Sequence, residues 1–201
     1  MTQLVRKTQA SLLLLFIDYK ESGKPMKNLH HISFHHSLYG NQKMQLHVAG
    51  YPWERLSRYL TKNRAELWNV LGKTFPLVSE MHSLGVTHLD LNLGNILIDT
   101  NSKKLAVIDF EFGPVEWVNK NQQMAFDYLR LIDDCLKPRR GGKILLKNPE
   151  KLVELLKVNV TEGTKKADLH FVYSKLQRLE QQPQLCKLLQ TIFTHLPTPK
   201  D

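Results

Sequence analysis

Three oxygen-bearing side chains in one stretch of the sequence could together bind a divalent cation and position a base. Asp90 and Asn95 lie five residues apart, and Asp109 ends the apolar run LAVID. This run and the run NILID, which begins at Asn95, are separated by five polar residues, a pattern that predicts a β-hairpin. Because a hairpin returns the chain to its starting point, we expect Asp109 to lie beside Asn95.

These residue types are the ones that phosphoryl transfer from ATP requires. That reaction needs a carboxylate to orient an acceptor hydroxyl and accept its proton, together with oxygen ligands for the Mg²⁺ that bridges the phosphates. The spacing therefore predicts Asp90 as the base and Asn95 with Asp109 as metal ligands. The competing interpretation is that these side chains only cap the neighbouring helix and hairpin, as Asp and Asn often do.

The segments HLDLNLGN and IDFEFG resemble the HxDxxxxN catalytic loop and the metal-binding motif of the protein-kinase-like superfamily. They are closest in style to its aminoglycoside phosphotransferase and choline kinase branch. The resemblance implies an enzyme that uses ATP and Mg²⁺, with Asp90 as catalytic base and with Asn95 and Asp109 binding the nucleotide and its metal. It implies further roles in nucleotide binding for Asn92, in metal binding for Glu111, and in structural support of the loop for His88 and Asp127.

Departures from the protein kinase pattern favour a non-protein acceptor. Leu89 stands where the HRD form has arginine, eleven residues separate Asp109 from Asn121, and no APE motif follows. We therefore expect transfer of the γ-phosphate to a hydroxyl of a small molecule, a sugar or a lipopolysaccharide-core-like glycolipid. An atypical protein Ser/Thr kinase is the alternative within the same fold.

The N-terminal part of the sequence departs from the kinase pattern more strongly. Residues 1–51 contain neither a GxGxxG loop nor a VAIK-like lysine, the usual phosphate-binding parts. The chain is then either a kinase with a reduced N-terminal lobe, or a pseudokinase or kinase fragment that acts as a binding module.

The elements around the motifs predict an α+β fold of the protein-kinase-like type. The apolar run at 10–17 and the alternation at 44–48 indicate strands in a reduced β-rich N-terminal lobe, residues 1–51. A mostly helical C-terminal lobe, residues 52–201, would carry the catalytic loop and the metal motif. Helical periodicity is present in segments 53–60, 67–84, 121–136, 149–158, 165–181 and 184–195.

Composition sets limits on the class of protein. The 201 residues include 42% apolar and 23% charged side chains, the balance of a globular domain, and the two cysteines form no CxxC motif. We therefore expect a cytoplasmic protein without disulfides or a thiolate metal site. The longest apolar run, ASLLLLFI, is far shorter than the roughly 20 residues of a membrane span.

The basic charge lies mostly in the C-terminal third. The formal net charge is +9, and +7 of it arises from residue 137 onward, where 13 Lys and Arg stand against 6 Asp and Glu. Such an excess predicts an anionic acceptor or peripheral contact with a membrane, without a specific nucleic-acid partner, and the alternative is a set of solvated helix faces. If the charge serves the acceptor, basic residues should lie on the face that bears Asp90: Arg139, Arg140, Lys165 and Lys166.

Overall fold

The computed structural model describes residues 15–16, 18–19, 25–26, 53–110, 112 and 114–198. Most of the proposed N-terminal lobe lies outside this part of the chain, and so does Glu111. The described residues form an α+β fold with a small antiparallel sheet and a mostly helical remainder. The predicted fold class is confirmed at that level.

The described strands are short and antiparallel. They are β1 (Leu15–Phe16), β2 (Asp18–Tyr19), β3 (Pro25–Met26), β4 (Trp53–Arg55), β5 (Ile96–Asp99) and β6 (Leu105–Val107). One sheet has the order β1-β6-β5-β4, and β2 pairs separately with β3. The centre of the larger sheet is therefore the pair β5 and β6, which directly follows the HLDLNLGN motif.

The predicted hairpin is confirmed. Strands β5 and β6 pair with Ile96 opposite Val107 and Ile98 opposite Leu105. The Asp99 carboxylate closes the turn, because its Oδ1 accepts hydrogen bonds from the next backbone N–H groups, at 2.8 Å from Asn101 and 3.1 Å from Ser102. Polar side chains that accept local backbone hydrogen bonds are what such turns require.

The helix predicted from Trp53 to Leu60 is wrong at its start. Residues Trp53–Arg55 form β4, which pairs with β5 so that Trp53 lies opposite Asp99, and the helix begins only at Leu56. The pairing partner lies more than forty residues along the chain, and local periodicity does not report it. β4 thereby becomes the edge of the sheet that carries the hairpin.

Helices make up the rest of the described chain. They are α1 (Leu56–Lys62), α2 (Leu67–Ser83), α3 (Lys120–Cys135), α4 (Gly142–Lys147), α5 (Glu150–Asn159), α6 (Glu162–Lys165), α7 (His170–Tyr173), α8 (Gln177–Glu180) and α9 (Pro183–Leu189), with 3₁₀ turns at Arg64–Glu66 and Pro138–Arg140. The longest, α2, has 17 residues and runs unbroken through Pro76. Within the described ranges, none of these helices combines the length and apolarity of a membrane span.

The single amphipathic helix expected over 165–181 is also wrong. This segment contains the last residue of α6, the one-turn helices α7 and α8, and the irregular stretches between them. Its buried leucines, Leu169, Leu176 and Leu179, join the core that contains α3. The Asp133 carboxylate of α3 accepts hydrogen bonds from two backbone N–H groups of α8. Packing against α3 therefore determines the path of the segment, and its own helical period does not.

The core lies between α2, α3 and the hairpin, and it fixes the loop that joins α2 to β5. Phe75 of α2 and Tyr128 of α3 meet edge to face, with ring centroids 5.9 Å apart. In the joining loop, Leu91 and Leu93 are fully buried. Burial of each leucine contributes roughly 1.5–3 kcal/mol, so the loop is anchored by its alternate side chains while the residues between them face outward.

Candidate active site

Asp127 of α3 holds the backbone at the start of the motif loop, defined here as residues 87–95. Its Oδ2 accepts a hydrogen bond from the His88 N–H at 2.9 Å, and its Oδ1 accepts one from the Leu89 N–H at 2.7 Å. The Nε2 of His82 lies 3.0 Å from the same Oδ2 and is a third donor. Because the carboxylate is fully buried, these donors replace the hydration that burial removes.

The backbone that Asp127 holds is strained. Leu89 has a φ of 63°, in the left-handed region that residues with a side chain rarely adopt. This conformation costs on the order of 1 kcal/mol, and the hydrogen bond from its N–H to the buried carboxylate offsets that cost. The turn at Leu89 carries the chain into Asp90.

His88 connects the motif loop to the end of the hairpin. Its Nδ1 accepts a hydrogen bond from the Asp90 N–H at 3.3 Å, and its Nε2 donates to the Ile108 carbonyl at 2.9 Å. An N–H partner on one nitrogen and a carbonyl on the other select the tautomer with the proton on Nε2. The fully buried ring thus links the residue before Asp109 to the backbone of Asp90.

Two amide side chains converge on Asp90. The Nδ2 of Asn92 donates to the Asp90 carbonyl at 2.9 Å and lies 3.2 Å from its Oδ2. The Nδ2 of Asn95 makes the same pair of contacts at 3.1 and 3.3 Å. With Nδ2 turned toward Asp90, the Oδ1 of Asn95 accepts no hydrogen bond from the described residues.

Gly94 allows the loop to close around Asn92. The Gly94 N–H donates to the Asn92 Oδ1 at 2.8 Å, and a Cβ at Gly94 would lie 2.8 Å from that same oxygen. That separation is shorter than a normal contact, so a side chain here would displace the Asn92 carboxamide. The glycine therefore protects the contact between Asn92 and Asp90.

Asp109 lies at the end of the hairpin beside Asn95. The preceding residue, Ile108, donates its N–H to the Asn95 carbonyl at 2.9 Å. Asp109 has a φ of 74°, a second left-handed conformation at a residue with a side chain. Among the described residues nothing donates a hydrogen bond to its half-buried carboxylate. The hairpin thus brings Asp109 and Asn95 together through the backbone, as expected.

The sequence did not point to Arg130, which is a further partner of Asp90. Its Nη2 lies 3.2 Å from the Asp90 Oδ1, and the side chains are 25% and 36% exposed. Its Nη1 lies 3.8 Å from Asp133, which also forms an ion pair with Arg178 at 2.9 Å. Arg130 comes three residues after Asp127 on α3, so helical spacing places both on one face. That spacing was the only available signal.

The sequence also did not point to Asp134, which holds the far end of the motif loop. Its Oδ2 accepts a hydrogen bond from the Leu93 N–H at 3.1 Å, and its carboxylate pairs with Lys137 at 2.6 Å and with Arg140. Asp134 follows Asp127 by seven residues, two helical turns later on the same face. One face of α3 therefore holds both ends of the loop.

The two cysteines are not placed for chemistry. Burial raises the pKa of the Cys135 thiol well above its usual range, and the nearby Asp134 raises it further. Burial likewise raises the pKa of Cys186. A buried thiol with a raised pKa is a poor nucleophile and a poor metal ligand.

The basic residues of the C-terminal third do not form one patch. Arg140 lies just after the C-terminal end of α3 and pairs with Asp134, which in turn accepts a hydrogen bond from the motif loop. Lys165 belongs to α6, whose Gly163 and Thr164 contact Asn121 at the opposite end of α3. Sixteen residues of helix span roughly 24 Å. Arg140 and Lys165 therefore lie toward opposite ends of α3, and whether both pairs share the face that bears Asp90 stays a condition of the acceptor hypothesis.

The comparisons with known proteins identify the class. The model of the lipopolysaccharide kinase (Kdo/WaaP) family matches residues 25–134, which include the motif loop, the hairpin and nearly all of α3. This family is one of the protein-kinase-like kinases. The match covers 110 of the 201 residues, and the chain belongs to the lipopolysaccharide kinase (Kdo/WaaP) family. No curated protein and no solved structure gives a significant match. The finer resemblance to aminoglycoside phosphotransferases and choline kinases is not confirmed.

Proposed function

We propose that the protein transfers the γ-phosphate of ATP, with Mg²⁺, to a hydroxyl of a sugar or glycolipid, with Asp90 as the catalytic base. The observation that supports this proposal is that Asp90, Asn95 and Asp109 lie at or beside the motif loop, whose backbone is held by the buried Asp127 carboxylate. Membership in a lipopolysaccharide kinase family supports a carbohydrate-bearing acceptor over a protein.

The residues present fit a magnesium ion. In the described ranges no three His, Cys, Asp or Glu side chains form a metal-binding group, and the donor set we assign to the ion is the Asp109 carboxylate and the Asn95 Oδ1. This set suits Mg²⁺, which commonly binds one or two protein oxygens and completes its shell with water and substrate phosphates. When bound, the ion would neutralise charge on the transferring phosphate. Glu111, outside the described residues, stays a proposed additional ligand.

The Asp90 carboxylate is arranged to accept a proton. Arg130 contacts its Oδ1, and the amides of Asn92 and Asn95 contact its Oδ2, so the side chain is oriented from both sides. Oδ1 keeps a further acceptor position, and the group is 36% exposed. An acceptor hydroxyl that donates to Asp90 would be held with its oxygen directed toward the phosphate and would lose its proton there.

The remaining parts of the proposal concern the rest of the chain. Residues 1–51 would form the reduced lobe that covers the nucleotide, and residues 52–201 the helical lobe. The family match begins at residue 25, within the first of these segments. Asn92 would support nucleotide binding, and the reaction would take place in the cytoplasm, where ATP is available.

The test separates the roles of the two carboxylates. Asp90→Asn should leave Mg·ATP affinity within about twofold and lower turnover by roughly 10²–10⁴-fold, the usual contribution of a positioned base. Asp109→Asn should weaken Mg²⁺-dependent nucleotide binding itself, because it removes the anionic ligand. The matched control is Asp168→Asn, an exposed aspartate outside the motif loop that pairs with His170, which should change neither quantity.

Two outcomes would contradict the proposal. If Asp90→Asn loses nucleotide affinity as strongly as Asp109→Asn while turnover per bound nucleotide is unchanged, the assigned roles are wrong. If the wild-type protein neither binds Mg·ATP nor turns it over with any sugar, glycolipid or protein acceptor, the chain is a binding module with a kinase-like fold.

A further inference from the structure

A basic cleft lies next to the motif loop and is not used by the proposed reaction. It has a volume of about 370 Å³ and is formed by one side of α1 and the 3₁₀ turn that follows α3. Its lining consists of two hydroxyl-bearing and four basic residues: Ser57, Thr61, Arg58, Lys62, Arg139 and Arg140. Among the residues that the structure describes, no acidic side chain lines it.

The charges around the cleft do not cancel. Glu54 pairs with both Arg58 and Lys62, at 3.4 and 2.7 Å, so one carboxylate serves two cations. Arg140 shares the buried Asp134 with Lys137. Arg139 is exposed, and within the described part of the chain no carboxylate pairs with it. Five cations therefore stand against two carboxylates.

Both walls of the cleft are attached to the same residue of the motif loop. The Ser57 N–H of α1 donates to the Leu93 carbonyl at 2.7 Å. On the other wall, Arg140 pairs with Asp134, which accepts the Leu93 N–H at 3.1 Å. Leu93 follows Asp90 by three residues, a span of at most about 11 Å of chain. The cleft is thus held at a fixed position close to the proposed base.

A further cation, Arg55, lies close to the motif loop. The Arg55 Nη1 lies 4.0 Å from the position that a Cβ on Gly94 would take, and the Asn92 Oδ1 lies 2.8 Å from the same position. Asn92 in turn contacts the Asp90 carboxylate. Arg55 therefore lies near the Asn92 side chain, whose amide contacts Asp90.

We propose that this cleft binds a phosphate group already carried by the acceptor, and so selects phosphorylated sugars or glycolipids. Guanidinium groups bind phosphate oxygens in pairs, and the cleft offers three of them with one ammonium group. The Ser57 and Thr61 hydroxyls add short-range polar contacts. A volume of about 370 Å³ leaves room for a sugar beside the phosphate. The acceptor part of this inference rests on the proposed kinase function, whereas anion binding does not.

The first experiment measures anion binding without ATP. Inorganic phosphate is titrated into the full chain while the unfolding temperature is recorded, since a ligand that binds only the folded state raises it. The variant Arg58→Gln with Arg139→Gln should weaken phosphate binding by roughly tenfold or more. Arg140 is left intact because it pairs with the buried Asp134.

Two matched variants control for net charge and for folding. Lys166→Gln with Lys187→Gln removes the same charge from exposed positions outside the cleft and should leave phosphate binding unchanged. Glu54→Gln frees Arg58 and Lys62 and should tighten phosphate binding by about two- to fivefold. Equal phosphate affinity in the wild type and in the Arg58/Arg139 double variant overturns the proposal, as does an equal loss in the lysine control.

The second experiment places the acceptor phosphate in the cleft. With lipopolysaccharide core as acceptor, the Arg58/Arg139 double variant should raise the acceptor KM by roughly tenfold or more. It should leave the ATP KM and kcat within about twofold, and on phosphatase-treated acceptor it should behave like the wild type. A raised ATP KM, or the same change on both acceptors, overturns the proposal. If no acceptor is phosphorylated but the double variant still loses phosphate binding, the kinase function fails while the anion site stands.

Discussion

The buried face of α3 and the exposed side of the motif loop both carry aspartates, but these carboxylates differ in burial and in hydrogen bonding. Asp127, on α3, is fully buried and accepts hydrogen bonds from three donors, two of them backbone N–H groups at 2.7 and 2.9 Å. Asp90, in the motif loop, is 36% exposed and has side-chain contacts at 3.2 to 3.3 Å. Asp109 accepts none from the described residues.

The difference shows how this fold separates scaffold from chemistry. A carboxylate whose lone pairs are filled by backbone donors fixes the positions of those donors and has little capacity left for a substrate. A carboxylate with long or missing contacts is free to accept a proton or a cation. Asp127 and Asp134 supply the first kind of group at the two ends of the loop, and Asp90 and Asp109 supply the second kind.

The largest effect is expected for removal of the scaffold. Asp127→Ala leaves the donors of His82, His88 and Leu89 buried without an acceptor, and it should lower the free energy of unfolding by about 3–5 kcal/mol. Urea denaturation followed by circular dichroism measures this. Glu154→Ala, at an exposed position of α5, is the control and should stay within about 0.5 kcal/mol of the wild type. A loss below 1 kcal/mol in Asp127→Ala would show that the loop does not depend on this carboxylate.

A smaller loss of stability is expected at His88, which joins the motif loop to the end of the hairpin. His88→Ala removes the link between the Asp90 N–H and the Ile108 carbonyl, and it should cost about 2–3 kcal/mol through one unsatisfied carbonyl and a cavity. Calorimetry measures the change, with His170→Ala as the exposed control. Unchanged stability accompanied by a complete loss of turnover would instead indicate that His88 acts directly on substrate.

Arg130 lies between the two regions, and its removal should affect rate more than stability. Arg130→Gln frees the Asp90 Oδ1, so kcat should fall by about five- to tenfold with an unchanged ATP KM, while stability falls by about 1 kcal/mol or less. Arg130→Lys should restore part of the rate, because a cation returns without the planar geometry. A raised ATP KM with normal kcat would show that Arg130 serves the nucleotide and not the base.

The sequence predicted the parts of this arrangement that depend on local pattern. Two apolar runs around a polar turn predicted the hairpin, and with it the return of Asp109 to Asn95. The loop itself follows from the spacing of Asp90 and Asn95 around Gly94. These signals need no knowledge of distant residues, because the hairpin and the loop close within twenty residues.

The parts that the sequence did not predict depend on distant partners. Trp53 pairs with Asp99, and the partner of Arg130 is forty residues earlier in the chain. Asp133 and Asp134 hold segments more than forty residues away on either side. Helical spacing shows that such residues share a face, but it does not show what the face meets. Tertiary packing also replaced the single helix expected after residue 165 with shorter turns.

The smallest expected effect is on the pH dependence of stability at Asp99, where burial and hydrogen bonding shift the pKa in opposite directions. Asp99, at the hairpin turn, is half-buried, and burial acts to raise its pKa. Hydrogen bonds from the Ser102 side chain and from the Asn101 and Ser102 N–H groups outweigh that effect and lower the pKa below its usual value. Its contribution to stability should therefore be complete above the unfolded-state pKa of about 3.9 and be lost as the pH falls through the lower folded-state pKa.

Comparison of the wild type with Asp99→Asn isolates this contribution from the other carboxylates that titrate in the same range. Asparagine can still accept the turn hydrogen bonds but cannot titrate. The difference in unfolding free energy between the two proteins should be constant from pH 5 to 7 and change by a few tenths of a kcal/mol as the pH falls below about 4. A difference that does not vary with pH would mean that the turn donors do not discriminate between charged and neutral oxygen. The difference in hydrogen bonding between Asp127 and Asp90 would then affect a carboxylate's properties only where that carboxylate is buried.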